Sequence, residues 1–162
     1  MTITLKKTDE QWSRLATEVL ILSTACNDLY LQYLCDLVNR VVKPVQESYE
    51  KKRIELIKKH GEKQEGDNYL VKQYPEYTEE QRKAEGFKEE ELPAYTAFSE
   101  EFKPIREHET TLTIECIEAE LFRSQNPKEF RPLFVQVGAP VGIFGFHELF
   151  TITDKAASLQ PQ

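Results

Sequence analysis

A heptad-like spacing of apolar residues near the start of the chain limits the folds open to it more than any other sequence feature. Steps of three and four residues alternate along seven apolar positions: Trp12, Leu15, Val19, Leu22, Cys26, Leu29 and Tyr33. This spacing predicts an α-helix with an apolar seam that packs against other helices. Near Tyr33 the phase shifts, and further apolar residues make the stripe wider than a two-stranded coiled coil requires. An intramolecular helical bundle is therefore favoured, and a homo-oligomeric coil is the alternative.

The predicted helix is long, spans residues 8–61 and is kinked. Thr8 and Gln11 have the spacing of a capping box, so the helix should begin near Asp9. Pro44 lacks an amide hydrogen and clashes with the preceding turn, which predicts a kink or break there. Gly61 follows a lysine-rich turn and suits a left-handed cap that ends the helix.

The remaining sequence predicts an α+β protein with a single domain over residues 1–154. Residues 62–93 are expected to be a charged loop region with a short strand near Tyr69, and residues 94–154 a helix followed by short strands. Within that range, Leu112, Ile114 and Cys116 alternate with polar residues, which is the pattern of a half-buried strand. We expect the C-terminal half to form a small antiparallel sheet beside the helices, and residues 155–162 to be a disordered tail.

Composition narrows the functional classes. The chain has 21 Lys and Arg against 28 Asp and Glu, a net charge of -7, which disfavours nucleic acid as the main ligand. An acidic protein that mimics nucleic acid stays open as an alternative. No apolar run reaches the roughly 20 residues that cross a bilayer, so we expect no membrane association. The three cysteines predict free thiols in a reducing cytoplasm, and on one helix Cys26 and Cys35 would lie too far apart to form a disulfide.

An uncharged segment lies between Arg131 and His147 and contains three of the six glycines. The favoured interpretation is a pair of core strands joined by a turn. The other is an apolar arm that a protein partner, or a second copy of the chain, covers. The candidate binding residues are the large apolar ones in this segment: Leu133, Phe134, Val141, Ile143, Phe144 and Phe146.

No complete catalytic constellation is present, and no cofactor is expected. The glycines from Gly138 to Gly145 lack the lysine and hydroxyl of a phosphate loop. His108 and Thr110 have the His-x-Thr form of two-histidine phosphoesterases, so His108, Thr110 and His147 are the candidate catalytic residues if the protein is an enzyme. His108, His147 and Glu148 are the corresponding metal candidates. Surface histidines without a catalytic role are the favoured interpretation.

One resemblance extends over about half of the chain, from Leu34 to Phe122. Residues 55–62 (Glu-Leu-Ile-Lys-Lys-His-Gly-Glu) end a predicted helix, and a Gly-Asp-Asn turn and an acidic stretch follow. A Phe-Ser-Glu-Glu-Phe helix at 98–102 and a Leu-Thr-Ile-Glu strand at 112–115 complete the pattern. This order resembles a family of small tailed-phage proteins of unknown function. The resemblance implies a viral origin and a place in the cytoplasm of an infected bacterium or in the virion, and it carries no catalytic residues.

Together these features predict a non-enzymatic, phage-like protein that acts through protein–protein contacts. Its role would be virion assembly or inhibition of a host protein, such as a defence protein. A metal-dependent or two-histidine phosphoesterase is the alternative from a different class.

Overall fold

The computed structural model describes residues 2–71, 78–84, 92–117 and 148 of the chain. Predictions made for other residues, including the strands of the uncharged segment and the disordered tail, lie outside this range. The described residues are mainly helical with short antiparallel strands, which confirms the α+β class. In chain order the elements are β1 (Thr2–Thr8), α1 (Asp9–Ala25), α2 (Leu29–His60), β2 (Glu62–Lys63), β3 (Tyr69–Leu70), α3 (Glu79–Ala84), α4 (Leu92–Glu107) and β4 (Glu109–Glu115).

The chain divides into two compact units. The first unit contains Met1–Glu47 and Glu109–Gln162, and the second unit contains Ser48–His108. The second unit is therefore an insertion in the sequence of the first. Each unit is described by itself below.

The sheet of the first unit pairs β1 with β4 in antiparallel orientation. Ile3 lies opposite Ile114 and Leu5 opposite Leu112, so these four apolar side chains share the face of the sheet that contacts the core. On the other face, the hydroxyls of Thr4 and Thr113 are hydrogen-bonded at 2.8 Å. The prediction that the C-terminal half forms the sheet by itself is wrong here, because β4 takes its partner from the start of the chain.

Helix α1 begins where the sequence predicts. The Gln11 amide donates to Thr8 Oγ1 at 3.2 Å, and the Thr8 amide donates to Gln11 Oε1 at 3.0 Å, which completes the capping box. The helix is buried on several sides, because the sheet and α2 both supply neighbours to its apolar residues. Its buried apolar residues are Trp12, Leu15, Ala16, Val19, Ile21 and Leu22.

The long predicted helix is interrupted between Ala25 and Leu29. The Asp28 side chain accepts a hydrogen bond from the Leu31 amide at 2.7 Å, so Asp28 caps the start of α2. The Gln32 side chain also donates to the Cys26 carbonyl at 2.6 Å, which satisfies a carbonyl at the end of α1. The prediction of a continuous helix over residues 8–61 is thus wrong at Cys26–Asp28, where α1 ends with Cys26 as its C-cap and Asp28 caps the start of α2.

Helices α1 and α2 are antiparallel. Near the start of α1, the Ser13 carbonyl accepts from the Gln46 side chain at 3.4 Å, and near its end Ser23 donates to Asp36 at 3.4 Å. Because the chain turns back between these helices, the buried face of α2 does not continue the predicted seam. Five residues of α2 are buried in the core: Leu31, Leu34, Cys35, Val38 and Val42. Leu29 and Tyr33, the last two seam positions, are 80% and 57% exposed, so the seam prediction is wrong for them.

Helix α2 continues through Pro44, so the predicted break is not present. Proline removes one backbone hydrogen bond, but Val42 before it and Tyr49 after it are both buried. Packing on either side of Pro44 therefore holds the helical backbone in place.

In the second unit, α2 ends at His60 and Gly61 follows, as the sequence predicts. Gly61 does not adopt the predicted left-handed conformation; among the described residues the positive φ belongs to Gly66. A Cβ atom at position 61 would lie 2.4 Å from the Ile57 carbonyl oxygen and 3.1 Å from the Leu70 backbone. Glycine is required here because the backbone passes close to other backbone atoms.

The aromatic contacts of the second unit join α2 to α4. Tyr49 packs against Phe102 with ring centroids 5.7 Å apart, and Phe102 stacks on Phe98 at 5.3 Å. Phe98 is buried, as are Tyr49 and Val71. Tyr49, Phe98 and Phe102 form a small aromatic cluster, and none of the three belongs to the core of the first unit.

Trp12 connects α1 to β4. Its side chain is fully buried, and its indole Nε1 donates to the Thr110 carbonyl at 2.9 Å. The Thr110 hydroxyl donates to Asp9 Oδ1 at 2.6 Å, one turn earlier on α1. Two hydrogen bonds therefore hold β4 against the first turns of α1.

Replacing Trp12 with Phe is expected to lower the free energy of unfolding by about 1–3 kcal/mol, because the Thr110 carbonyl loses its indole donor and the core loses volume. Urea denaturation followed by circular dichroism measures this change. Leu29→Ala is the matched control, since an exposed substitution on the next helix should change stability by less than about 0.5 kcal/mol. Equal effects of the two substitutions on the free energy of unfolding would contradict the role of Trp12 as the buried contact between α1 and β4.

Candidate functional site

The candidate catalytic residues are not assembled into a site within the described part of the chain. His108 is exposed and lies between α4 and β4. The Thr110 hydroxyl donates a hydrogen bond to Asp9, and this bond helps to hold β4 against α1. His147 lies outside the described residues, and so do all six candidate binding residues: Leu133, Phe134, Val141, Ile143, Phe144 and Phe146.

The third histidine, His60, belongs to an ion-pair cluster in the second unit. Lys59 Nζ lies 2.8 Å from both carboxylate oxygens of Glu101, and His60 Nε2 lies 3.1 Å from one of them. The Lys59 hydrogen bond is the main cause that lowers the pKa of Glu101, and His60 adds to it. This cluster joins the end of α2 to α4. Within the described ranges, no group of three or more His, Cys, Asp or Glu side chains is placed to hold a metal ion.

Glu148, a candidate metal ligand, forms a buried ion pair. Its carboxylate accepts a hydrogen bond from Lys7 Nζ at 2.7 Å, and the two side chains are only 8% and 11% exposed. Its backbone amide donates to the buried carboxylate of Glu18 on α1 at 3.2 Å. This contact attaches Glu148 to β1 and α1.

Sequence reasoning missed the role of Lys7. Alternate residues of a strand point to the same face, so Lys7 lies on the side of β1 that carries Ile3 and Leu5, the core side. A lysine at a core-facing position needs a partner, because an unpaired buried charge is costly. Ile3 and Leu5 alternate with polar residues in the sequence, and continuing this alternation by two residues reaches Lys7.

The three cysteines are free and buried, as the sequence predicts. Cys26 lies in the connection between α1 and α2, so the premise that it shares a helix with Cys35 is wrong. Burial raises the pKa of the Cys35 thiol to about 12, and Cys26 and Asp36 add to the shift. Burial also raises the pKa of Cys26 and Cys116. Thiols held in this protonated form are poor nucleophiles.

A group of exposed apolar side chains lies where the α1–α2 hairpin turns. Leu29, Tyr30 and Tyr33 occupy the first two turns of α2 with spacings of one, three and four, so they lie on the same side of the helix. Their exposed fractions are 80%, 56% and 57%. We call Leu29, Tyr30 and Tyr33 the hairpin-end surface.

Among the residues that the structure describes, no helix combines the length and the hydropathy needed to cross a membrane. Comparison of the chain with protein-family models, with curated proteins and with solved structures finds no match.

Replacing Lys7 with Met should lower the free energy of unfolding by about 3–5 kcal/mol, because it leaves the Glu148 carboxylate buried without its cation. Chemical denaturation of the variant tests this effect. Lys83→Met is the control, since the Lys83–Glu79 pair is more than 60% exposed on both sides and contributes at most about 1 kcal/mol. The double variant Lys7→Met, Glu148→Gln should recover part of the loss. A Lys7 effect no larger than that of Lys83 would refute the buried pair.

Cys35 should resist thiol reagents in the folded protein. With a pKa of about 12, only about one Cys35 thiol in ten thousand is ionised at about pH 8, against about one in ten at the unperturbed value of 9.0. Labelling with a chromogenic disulfide and peptide mapping should therefore show modification of Cys35 only after unfolding in urea. Equal labelling rates in folded and unfolded protein would contradict this placement.

Proposed function

We propose that this chain acts through protein–protein contacts and that the hairpin-end surface is one of its contact faces. The exposure of Leu29, Tyr30 and Tyr33 is the observation that carries this proposal. Isolated exposed hydrophobic residues are common, but large apolar side chains grouped on one face are typical of interaction surfaces. Tyrosine in particular is enriched at protein interfaces, because it combines a large apolar ring with a hydroxyl that can form hydrogen bonds with water or with a partner.

The local structure of α2 supports a role in contact rather than in folding. Asp28 already caps this helix, and the buried residues from Leu31 onward attach it to the core. Leu29 at the first helical position also does not take part in a hydrophobic staple, which joins the residue before the cap to the fourth helical residue. Exposed leucine and tyrosine therefore contribute little to the fold at these positions. A partner that buried the Leu29 side chain would gain about 1.5–3 kcal/mol.

A catalytic role has less support. In the His-x-Thr sequence, the Thr110 hydroxyl donates its hydrogen bond to Asp9, and His108 is exposed. We retain the two protein-contact roles predicted from the sequence, assembly of a virion and inhibition of a host protein, as the biological setting of this proposal.

Site-specific photocrosslinking tests the proposed surface. The photoreactive residue p-benzoylphenylalanine replaces Tyr33 in protein expressed in bacterial cells, and irradiation should give a discrete crosslinked product. The control places the same residue at Glu47, which is exposed on α2 about 21 Å further along the helix. The product should form from position 33, not from position 47, and Leu29→Glu should abolish it without changing the circular dichroism spectrum.

The crosslinked species identifies the role. A product containing two copies of this chain favours assembly, and a product with a bacterial protein favours inhibition. Equal crosslinking from positions 33 and 47, or no product from either position, would contradict the hairpin-end surface as a contact face.

A further inference from the structure

The hairpin-end surface continues along the exposed side of α2. Asp36 and Arg40 are exposed, and Leu37 is partly exposed and is not part of the core. Residues three and four positions apart lie on the same side of an α-helix, so these residues extend the side that carries Leu29 and Tyr33. We call this side the outer face of α2; it consists of Leu29, Tyr30, Tyr33, Asp36, Leu37 and Arg40, all within the first unit.

Tyr33 is the centre of a symmetrical arrangement on the outer face. Leu29 lies four residues before it and Leu37 four residues after it. Tyr30 lies three residues before it and Asp36 three residues after it. When a two-fold axis relates two antiparallel helices, residues at equal distances on either side of the axis face each other. Two copies of α2 that met at Tyr33 would therefore place each leucine against the other leucine. The same contact would place Tyr30 against Asp36 twice.

The groups that would face each other are chemically complementary. A phenol donates a hydrogen bond and a carboxylate accepts one, and the bond is short and strong because the acceptor is charged. Among the described residues, the Tyr30 hydroxyl has no hydrogen-bond partner. Asp36 accepts from Ser23 through Oδ1 at 3.4 Å, and a carboxylate has about four lone-pair sites, so Asp36 can accept the phenol as well.

Charge on the outer face is balanced, although the chain as a whole has a net charge of -7. Asp36 and Arg40 carry opposite charges one helical turn apart, and the other residues of the outer face are uncharged. Two copies of an acidic protein repel each other where acidic surfaces meet. The outer face avoids that repulsion, because each copy brings one cation and one anion to the contact.

The size of the outer face sets the expected strength of the contact. Leu29, Tyr30 and Tyr33 are each more than half exposed. With the neighbouring side chains of the outer face, a dimer would bury on the order of 1,000 Å² in total, at the low end of the range for specific interfaces. We therefore expect a dissociation constant on the order of 10–100 µM.

We propose that the outer face of α2 binds a second copy of this chain in an antiparallel contact with two-fold symmetry centred on Tyr33. This inference rests on the proposed role of the hairpin-end surface in protein contacts and names its partner. The contact covers the exposed leucine and tyrosine side chains of both copies at once. Because it is closed by a two-fold axis, it produces a dimer and not a filament.

Sedimentation velocity of the purified full-length chain, from about 5 µM to about 500 µM, tests the proposal. The wild type should change from monomer to dimer over this range. Tyr30→Asp places a carboxylate against Asp36 of the second copy, so it should weaken the dimer at least about tenfold. Tyr30→Asp, Asp36→Lys places opposite charges against each other and should restore the dissociation constant to within about threefold of the wild type.

Tyr30→Asp, Glu47→Lys is the matched control. It has the same net charge as the restored variant, but Glu47 is exposed further along α2, outside the outer face. This control should dimerise as weakly as Tyr30→Asp alone. Residues six positions apart do not contact each other on one helix, so restoration by Asp36→Lys requires a second copy. Circular dichroism of each variant establishes that its fold is retained, which is expected for substitutions of exposed residues.

Three outcomes would overturn the inference. The first is a wild type that stays monomeric up to about 500 µM; crosslinking from position 33 to a bacterial protein would then still support the hairpin-end surface as a contact face. The second is a dimer that Tyr30→Asp does not weaken. The third is equal restoration by Asp36→Lys and Glu47→Lys, which would mean that net charge alone controls association.

Discussion

The contact between Trp12 and Thr110 organises the described part of the first unit. The two residues are 98 positions apart, and the Trp12 side chain that donates the hydrogen bond between them is fully buried. It holds β4 against α1, and in this position β4 pairs with β1 and extends the core-facing side of the sheet that carries Ile3 and Leu5. Lys7 belongs to the same strand and lies on the same face as Ile3 and Leu5. This position places its side chain where it pairs with Glu148. Without the Thr110 carbonyl, the buried indole N–H of Trp12 would lack an acceptor, which would destabilise the folded state.

Local sequence patterns were sufficient for the features that depend on nearby residues. The capping box at Thr8, the end of α2 before Gly61 and the alternation in β4 all result from interactions over a few residues, and the structure contains each of them. Features that depend on distant partners were not predictable in this way. The pairing of β4 with β1 joins residues about a hundred positions apart, and periodicity cannot show which strand a given strand will pair with.

The interruption at Cys26–Asp28 shows how a local signal can be present and still be misinterpreted. The shift of the apolar phase near Tyr33 was visible in the sequence. It arises because residues from Leu29 onward belong to a second helix, which buries a different face. The same shift explains the hairpin-end surface: Leu29 and Tyr33 fit the seam of α1 by spacing, but α2 buries a different set of side chains. Burial depends on the direction in which a helix continues, so spacing alone could not identify these residues as exposed.

The pairing of β1 with β4 also has a consequence for synthesis of the protein. Thr4 and its partner Thr113 are separated by 109 residues, and the entire second unit is translated between them. At about 5–20 residues per second, β1 would leave the ribosome roughly 5–20 s before β4 is available. During that interval Ile3 and Leu5 lack their sheet partners, and closing so long a loop costs entropy before any contact is gained. The second unit, Ser48–His108, is completely translated before β4, so its elements are available to pack before the sheet of the first unit can form.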